Sequence, residues 1–213
     1  MSTLRFISRV LQLTGIVLVL YVVAIFVRAK VFNLQASHAI EHAAQVRGHL
    51  PNKTDVPDNL EKNFPPAPGT VLGRIEIPRL NASSVILEDD GSDELNLGAG
   101  HVPGTAEPGQ HGNVVIAAHR DTFFRSLRNI AEGDEVVLTT LNGSIRYRVE
   151  ALRVTKPDDV SVLKSTADSR LTLITCYPFS YIGAAPYRFI VTAKRIRDDR
   201  SPERDDLTTS AVY

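Results

Sequence analysis

Three residues able to cooperate in acyl-transfer chemistry sit at the ends of apolar runs in this 213-residue chain: His119 closes "NVVIAAH", Cys176 closes "RLTLITC" and Arg188 opens "YRFIVTAKRI". A thiol becomes a strong nucleophile only as the thiolate, and a neighbouring imidazole can take or stabilise that charge. Attack on a carbonyl builds an oxyanion, for which a fixed guanidinium is a suitable donor. Each residue also has a plainer reading. Cys176 is the chain's one cysteine, and a free cysteine commonly serves as a small buried hydrophobe. His119 could be a hydrogen-bonded core histidine, and Arg188 a strand-surface charge paired with a carboxylate. Spacing alone leaves these alternatives open, because separation in sequence says nothing about separation in space.

The elements that must position these residues read as short strands. "VLGRIEIP", "SSVILE", "NVVIAAH", "EVVLTTLNGSIRYRVEALRV", "RLTLITC" and "YRFIVTAKRI" are rich in Val, Ile and Thr and bounded by turn residues. Asn142-Gly143 between two such runs is a two-residue hairpin signal. "DELNLGAG" and "TFFRSLRNI" read as short helical turns, with Thr122 a possible cap and Phe123, Phe124 and Leu127 able to cover a sheet edge. Many short strands with regular turn signals imply an all-β barrel or sandwich. No strand–Gly-rich loop–helix unit and no internal repeat is present. All three polar residues fall at strand ends, where loops converge and the sheet beneath is rigid.

Outside that domain the chain changes character. Residues 1–9 form a short flank. Val10 to Val27, "VLQLTGIVLVLYVVAIFV", is about the length needed to cross a hydrocarbon core and is apolar all round. Arg28 and Lys30 follow where small residues would guide signal cleavage, so an uncleaved signal-anchor is expected over a removed signal peptide. Arg5 and Arg9 balance Arg28 and Lys30, so charge does not orient the span. Its short amino-terminal side favours an exported, extracytoplasmic domain held at the cell membrane by one pass. Residues 28–69 comprise a juxtamembrane helix stopping near Gly48 and a Pro-rich linker. Residues 70–196 are the folded domain, and 197–213, "RDDRSPERDDLTTSAVY", are expected to be a disordered charged tail. Lys+Arg and Asp+Glu are both 24; that balance, with no basic-aromatic cluster, argues against a nucleic-acid partner.

"TLITC", Thr172 to Cys176, matches the sortase signature T-L-x-T-C, whose cysteine is the nucleophile. "GNVVIAAHRDTFFRSLRNIAEGDEVVL" resembles the sortase region around the catalytic histidine, here His119, and "APYRFIVTAKRI" resembles the strand that begins with the catalytic arginine, here Arg188. "GHVPGTAEPGQHGN" resembles the loop before the histidine strand. The order His, Cys, Arg agrees, and the likeness runs from about Val71 to Ile196. "CYPFSYIGAAPYRFIV" most resembles the class D group. The resemblance implies a closed barrel of about eight strands with short inserted helices. It further implies transpeptidation at an L-P-x-T-G or L-P-x-T-A sorting signal near the end of another exported protein. Cys176 would attack the threonine carbonyl, His119 would shuttle the proton, and Arg188 would hold the oxyanion. Thr175 would shape the peptide-binding groove. The acceptor would be an amine on a wall peptide or a protein.

Two departures are visible. Ala117 and Ala118 stand where a glycine often precedes the histidine, and "LPNKT", Leu50 to Thr54, lacks the L-P-x-T order and is read as coincidence. No cofactor is expected; the acidic "ILEDDGSDELN", Ile86 to Asn96, reads as a solvated turn and helix start, which leaves calcium modulation open without assigning a site. A zinc site from His101, His111, His119 and Cys176 is a rival, though the spacings fit no tight ligand pair. In the sortase reading His101 and His111 are expected in solvent or on the substrate loop. A hydrolytic cysteine peptidase and a non-catalytic, anchored peptide-binding barrel are the other rivals.

Overall fold

A computed structural model describes residues 2–48 and 65–196; most of the expected linker and the whole of the expected tail lie outside the described residues. One helix, α1, runs Ser2–Gly48. Within Phe6–His38 an 18-residue window has a mean hydropathy of 2.7 and none of it is buried, so the helix is long and apolar enough to cross a membrane. Its later turns meet the globular part. α1 packs against β1 (Val71–Ile77), β2 (Ala82–Glu88), the short helix α2 (Ser92–Leu97) and β5 (Glu135–Thr140).

That contact has a specific polar anchor. Asn33 Oδ1 accepts the Val85 backbone N–H at 2.9 Å, and Asn33 Nδ2 donates to the Leu97 carbonyl. The parallel pairing of β2 with β3 (Ala99–His101) begins only at Ile86↔Ala99. The asparagine amide therefore supplies, just ahead of that ladder, the donor and acceptor a neighbouring strand would offer. Ile40, 5% exposed, buries the apolar side of the same region of α1.

The remaining strands are β4 (Asn113–Ala117), β6 (Gly143–Thr155), β7 (Arg170–Tyr177) and β8 (Tyr187–Arg195). They close into a barrel in the order β1-β2-β3-β4-β7-β8-β6-β5. Two neighbouring pairs are parallel, β2–β3 and β4–β7; the rest are antiparallel. β6 is the long member. Its first half pairs with β5 and its second with β8, with a bulge between Val149 and Ala151 that lets one strand turn the barrel corner. The expected hairpin is present with a one-residue difference: Thr140 pairs with Gly143, so Leu141 and Asn142 are the loop. Gly143 opens β6 at φ 122, a conformation that suits glycine.

The barrel interior holds Val114, Ile116 and Ala118 from the β4 region, Leu171 and Leu173 from β7, and Val191 and Ala193 from β8, with Tyr147 and Val149 of β6. Leu171 and Leu173 are fully buried, each stabilising the fold by about 1.5–3 kcal/mol relative to exposure. Because side chains alternate along a strand, Thr172, Ile174 and Cys176 face outward. The segment after β4 supplies further core: Phe124 and Leu127 are buried around a 3₁₀ turn at Arg125–Asn129, which no side chain caps. "DELNLGAG" divides into α2 and the start of the three-residue β3, a strand too short for alternation to reveal.

Candidate active site

Cys176 and Arg188 are direct partners across β7 and β8. The same ladder pairs Ile174 with Ile190, so Cys176, Ile174, Arg188 and Ile190 occupy one patch of the barrel's outer face. β4 supplies the third side. It runs parallel to β7 with Ala117 beside Ile174, and the Ala118 N–H donates to the Ile174 carbonyl at 3.1 Å. His119 follows two residues after Ala117, the last residue of β4 paired with β7. Barrel closure thus sets Cys176 opposite Arg188 and places β4, the strand that leads to His119, next to β7.

The three side chains share an unusual freedom. His119 and Cys176 are both half-buried, and among the described residues neither side chain has a hydrogen-bond partner. Arg188 Nη1 donates to the carbonyls of Ala185 and Tyr187, at 3.3 and 3.1 Å, and no described carboxylate pairs with it. Its guanidinium is held from behind while donors remain for another acceptor.

Thr175 lies between these groups but points the other way. It is 2% exposed, and its Oγ1 donates to the Ala118 carbonyl at 2.7 Å. That bond ties the end of β7 to the turn carrying His119. Arg120, which the sequence reading left without a role, ties the same turn to the β7–β8 loop. Its Nη2 donates to the carbonyls of Tyr181 and Gly183, at 2.7 and 3.0 Å, and its guanidinium lies 5.9 Å from the centroid of the Tyr181 ring. A long side chain next to a candidate histidine is a signal in the sequence, but the carbonyls it reaches belong to a loop no local pattern points to. The aromatic rings of Tyr177, Phe179 and Phe189 brace that loop, with the Phe179–Phe189 centroids 5.4 Å apart.

A 160 Å³ cavity adjoins the outer-face patch, lined by Ala117, Ile174, Arg188 and Ile190 beneath the loop between β6 and β7. Two polar ties hold that loop down. Asn113 Nδ2 donates to the carbonyls of Val162 and Lys164, and Thr172 Oγ1 donates to Asn113 Oδ1 at 2.7 Å. At the loop's start the Asp159 carboxylate accepts from the Ser161 and Thr155 hydroxyls and the Ser161 N–H; these bonds lower its pKa to about 2.

His101 corrects an expectation. It is neither in solvent nor on a substrate loop but 2% exposed. Its Nδ1 lies 2.8 Å from Glu88 Oε2, and its Nε2 donates to the Ala106 carbonyl at 3.0 Å. Glu88, 6% exposed, is correspondingly not part of a solvated acidic turn. The reason is the parallel β2–β3 pairing, which sets Glu88 opposite His101. His111 is exposed. Among the described residues no group of three His, Cys, Asp or Glu side chains is arranged to hold a metal ion.

The fold is a closed eight-stranded barrel in which a thiol and a guanidinium stand opposite each other at neighbouring strand ends. Comparison with known proteins gives the family. A family model described as "Sortase domain" matches residues 75–196. Sortase D of Bacillus subtilis (strain 168) is 36% identical over 146 residues, covering 68% of this chain and 73% of that protein. Among solved structures, the Clostridium perfringens sortase D5 transpeptidase aligns with a TM-score of 0.61 at 26% identity, covering 80% of this chain and 99% of that one. Sortase C of C. perfringens, solved with the C-terminal cell wall sorting motif, aligns with a TM-score of 0.57 at 29% identity over 77% of this chain and 87% of that one. The chain belongs to the sortase family, whose members are cysteine transpeptidases. The class D likeness read from "CYPFSYIGAAPYRFIV" agrees with the sortase D relative.

Proposed function

We propose that this protein is a membrane-anchored transpeptidase that cuts an L-P-x-T-G or L-P-x-T-A sorting signal after its threonine and passes the acyl group to an amine. The observation that supports the reading is the Cys176–Arg188 pairing, with β4, the strand that leads to His119, running parallel beside β7. The Cys176 thiolate attacks the threonine carbonyl carbon, and the Arg188 guanidinium stabilises the oxyanion. As the carbon–nitrogen bond breaks, the His119 imidazolium gives its proton to the departing amine, leaving a thioacyl-enzyme. Neutral His119 then takes a proton from the incoming amine, which attacks the thioester and expels the Cys176 thiolate. The steps use these side chains alone, without a cofactor.

The apolar patch around Ile174 and Ile190 supports binding of the signal's leucine and proline under the β6–β7 loop. Thr175 shapes that groove from beneath, by holding the Ala118 backbone. The apolar α1 supports the anchored, single-pass reading, with the barrel on the extracytoplasmic side and exported proteins as substrates. The acceptor amine sits on a wall peptide or another protein.

Intact-mass analysis of the full chain in detergent, incubated with L-P-x-T-G and L-P-x-T-A peptides, tests the reading. The expected result is a mass gain equal to the peptide truncated after threonine, absent in Cys176→Ala. An adduct that survives this substitution would overturn the assigned nucleophile. Binding of the peptides without any adduct would instead favour a non-catalytic peptide-binding barrel.

A further inference from the structure

We propose a binding site for the phosphate of an anionic membrane phospholipid in the cleft between α1 and the barrel. This cleft, 810 Å³, is distinct from the groove over Ile174 and Ile190. One wall is α1, from Ile25 and Phe26 at the end of the apolar run through Lys30 toward His38; the other includes the turn after β4, with Arg125, Ser126 and Arg128.

Three observations point to an anion. Lys30 faces Arg125 and Arg128 across the cleft, and none of the three has an ion-pair partner among the described residues, while Asp121 is the one carboxylate in the lining. Three cations gathered with a single carboxylate favour an anion, and guanidinium groups suit the oxygens of a phosphate. Between the two arginines, Ser126 Oγ is buried with no hydrogen-bond partner, a donor waiting for an acceptor.

The depth of the cleft selects a lipid. Lys30 is three residues beyond Val27, the end of the apolar run, or about 5 Å along the helix axis. That distance falls within the headgroup layer, roughly 5–8 Å thick on each side of the hydrocarbon core. Ile25 and Phe26 continue the cleft toward the acyl region, so a phosphate held by Lys30, Arg125 and Arg128 would leave its tail along apolar side chains. Arg125 and Arg128 hold the barrel to the membrane surface through the lipid. The cleft also reaches His119, so its occupancy bears on the orientation of the candidate active site.

The site requires that α1 cross the membrane. The full-length chain, purified in a mild non-ionic detergent, is mixed with equal amounts of phosphatidylglycerol and phosphatidylcholine and examined by native mass spectrometry. Phosphatidylglycerol is expected to be retained preferentially. Arg125→Ala with Arg128→Ala is expected to reduce that retention by about 25-fold, about fivefold for each cation near an anionic surface, without altering phosphatidylcholine retention. Both arginines are exposed, so the fold should be kept, as an unchanged thermal midpoint would verify. Equal retention of the two lipids, or undiminished phosphatidylglycerol in the double variant, overturns the site. Full competition by inorganic phosphate at equal concentration identifies a free-anion site and overturns the lipid assignment. A chain found in the soluble fraction of its host, rather than with membranes, defeats the anchor reading on which the site depends.

Discussion

Both ring nitrogens of His101 are engaged, Nδ1 with Glu88 and Nε2 with the Ala106 carbonyl, and the side chain is 2% exposed. His119, just past the neighbouring strand, is half-buried and has no side-chain partner among the described residues. The arginines divide similarly. Arg79 donates through Nε and Nη2 to the two oxygens of Asp134 and through Nη2 to the Asn129 carbonyl, whereas among the described residues Arg188 is steadied only by backbone carbonyls near its own position. A polar group that serves the fold satisfies its hydrogen bonds within the protein, because a buried unmet group costs about 1–3 kcal/mol. A group proposed to serve chemistry must keep bonding capacity for the substrate, and His119 and Arg188 stand at partly open strand ends. Identical residue types thus differ in how far the fold satisfies them.

The contrast between the histidines makes the largest predictions. His119→Gln should lower the rate of thioacyl formation by about 10²–10⁴-fold, the usual contribution of a positioned acid–base group, with little change in urea stability. His101→Ala should do the reverse. It leaves the buried Glu88 carboxyl without its hydrogen-bond partner, a loss of about 1–3 kcal/mol, while the molecules that remain folded still acylate. The contrast breaks if the two variants lose rate and stability in the same proportions. Arg188→Gln should slow acylation by about 10²–10³-fold, as expected for an oxyanion donor, whereas Arg79→Gln should leave the rate intact.

Arg120 sharpens the comparison, since its bonds are internal although it adjoins the site. It acts as a positioning residue, so Arg120→Ala should lower kcat by about tenfold to 10²-fold through misplacement of His119. Arg120→Lys should recover part of that loss. A rise in KM alone would mean that the β7–β8 loop serves binding rather than alignment.

The smallest effects are those of acid. The Arg79 hydrogen bond lowers the pKa of Asp134 below its ordinary value, and the Ala131 N–H adds to this. A carboxylate with a depressed folded-state pKa stabilises the fold above the unfolded-state value, about 4, and that contribution disappears as pH falls through the folded-state pKa. The urea midpoint should therefore drop as pH falls below about 4, and Asp134→Asn should flatten the drop. Asp159 follows the same sign over a window from about 4 down to its value of about 2. Amide exchange of Ser161, whose N–H bonds the Asp159 carboxylate, should therefore quicken as pH falls through that window.

The site was more legible than its supports. "TLITC" and the strand opening at Tyr187 marked Cys176 and Arg188 as candidates, and the apolar runs marked the strands that carry them. Thr175 stood out in the same motif, and strand alternation turns it inward with Leu171 and Leu173, but nothing local told that the Ala118 carbonyl would be its acceptor. Arg120 was visible as a residue and silent as a contact, because the carbonyls of Tyr181 and Gly183 come close only when the barrel closes. His101 was misread since the Glu88–His101 pairing depends on a parallel ladder of three residues, too brief to leave an alternating pattern.

By itself the sequence determined what depends on neighbours along the chain: the apolar span at Val10 to Val27, the alternating strands, the turn residues and the identity of the reactive groups. These follow from hydrophobic periodicity and side-chain chemistry, both carried by local stretches. The tertiary structure alone decided which groups meet. The β4–β7 register sets the strand that leads to His119 beside the one that ends in Cys176, the β7–β8 register sets Cys176 opposite Arg188, and the packing of α1 on the barrel opens the cleft that holds Lys30, Arg125 and Arg128. Those outcomes rest on strand closure and on burial shared between distant segments, where a shift of one residue would turn each side chain to the other face.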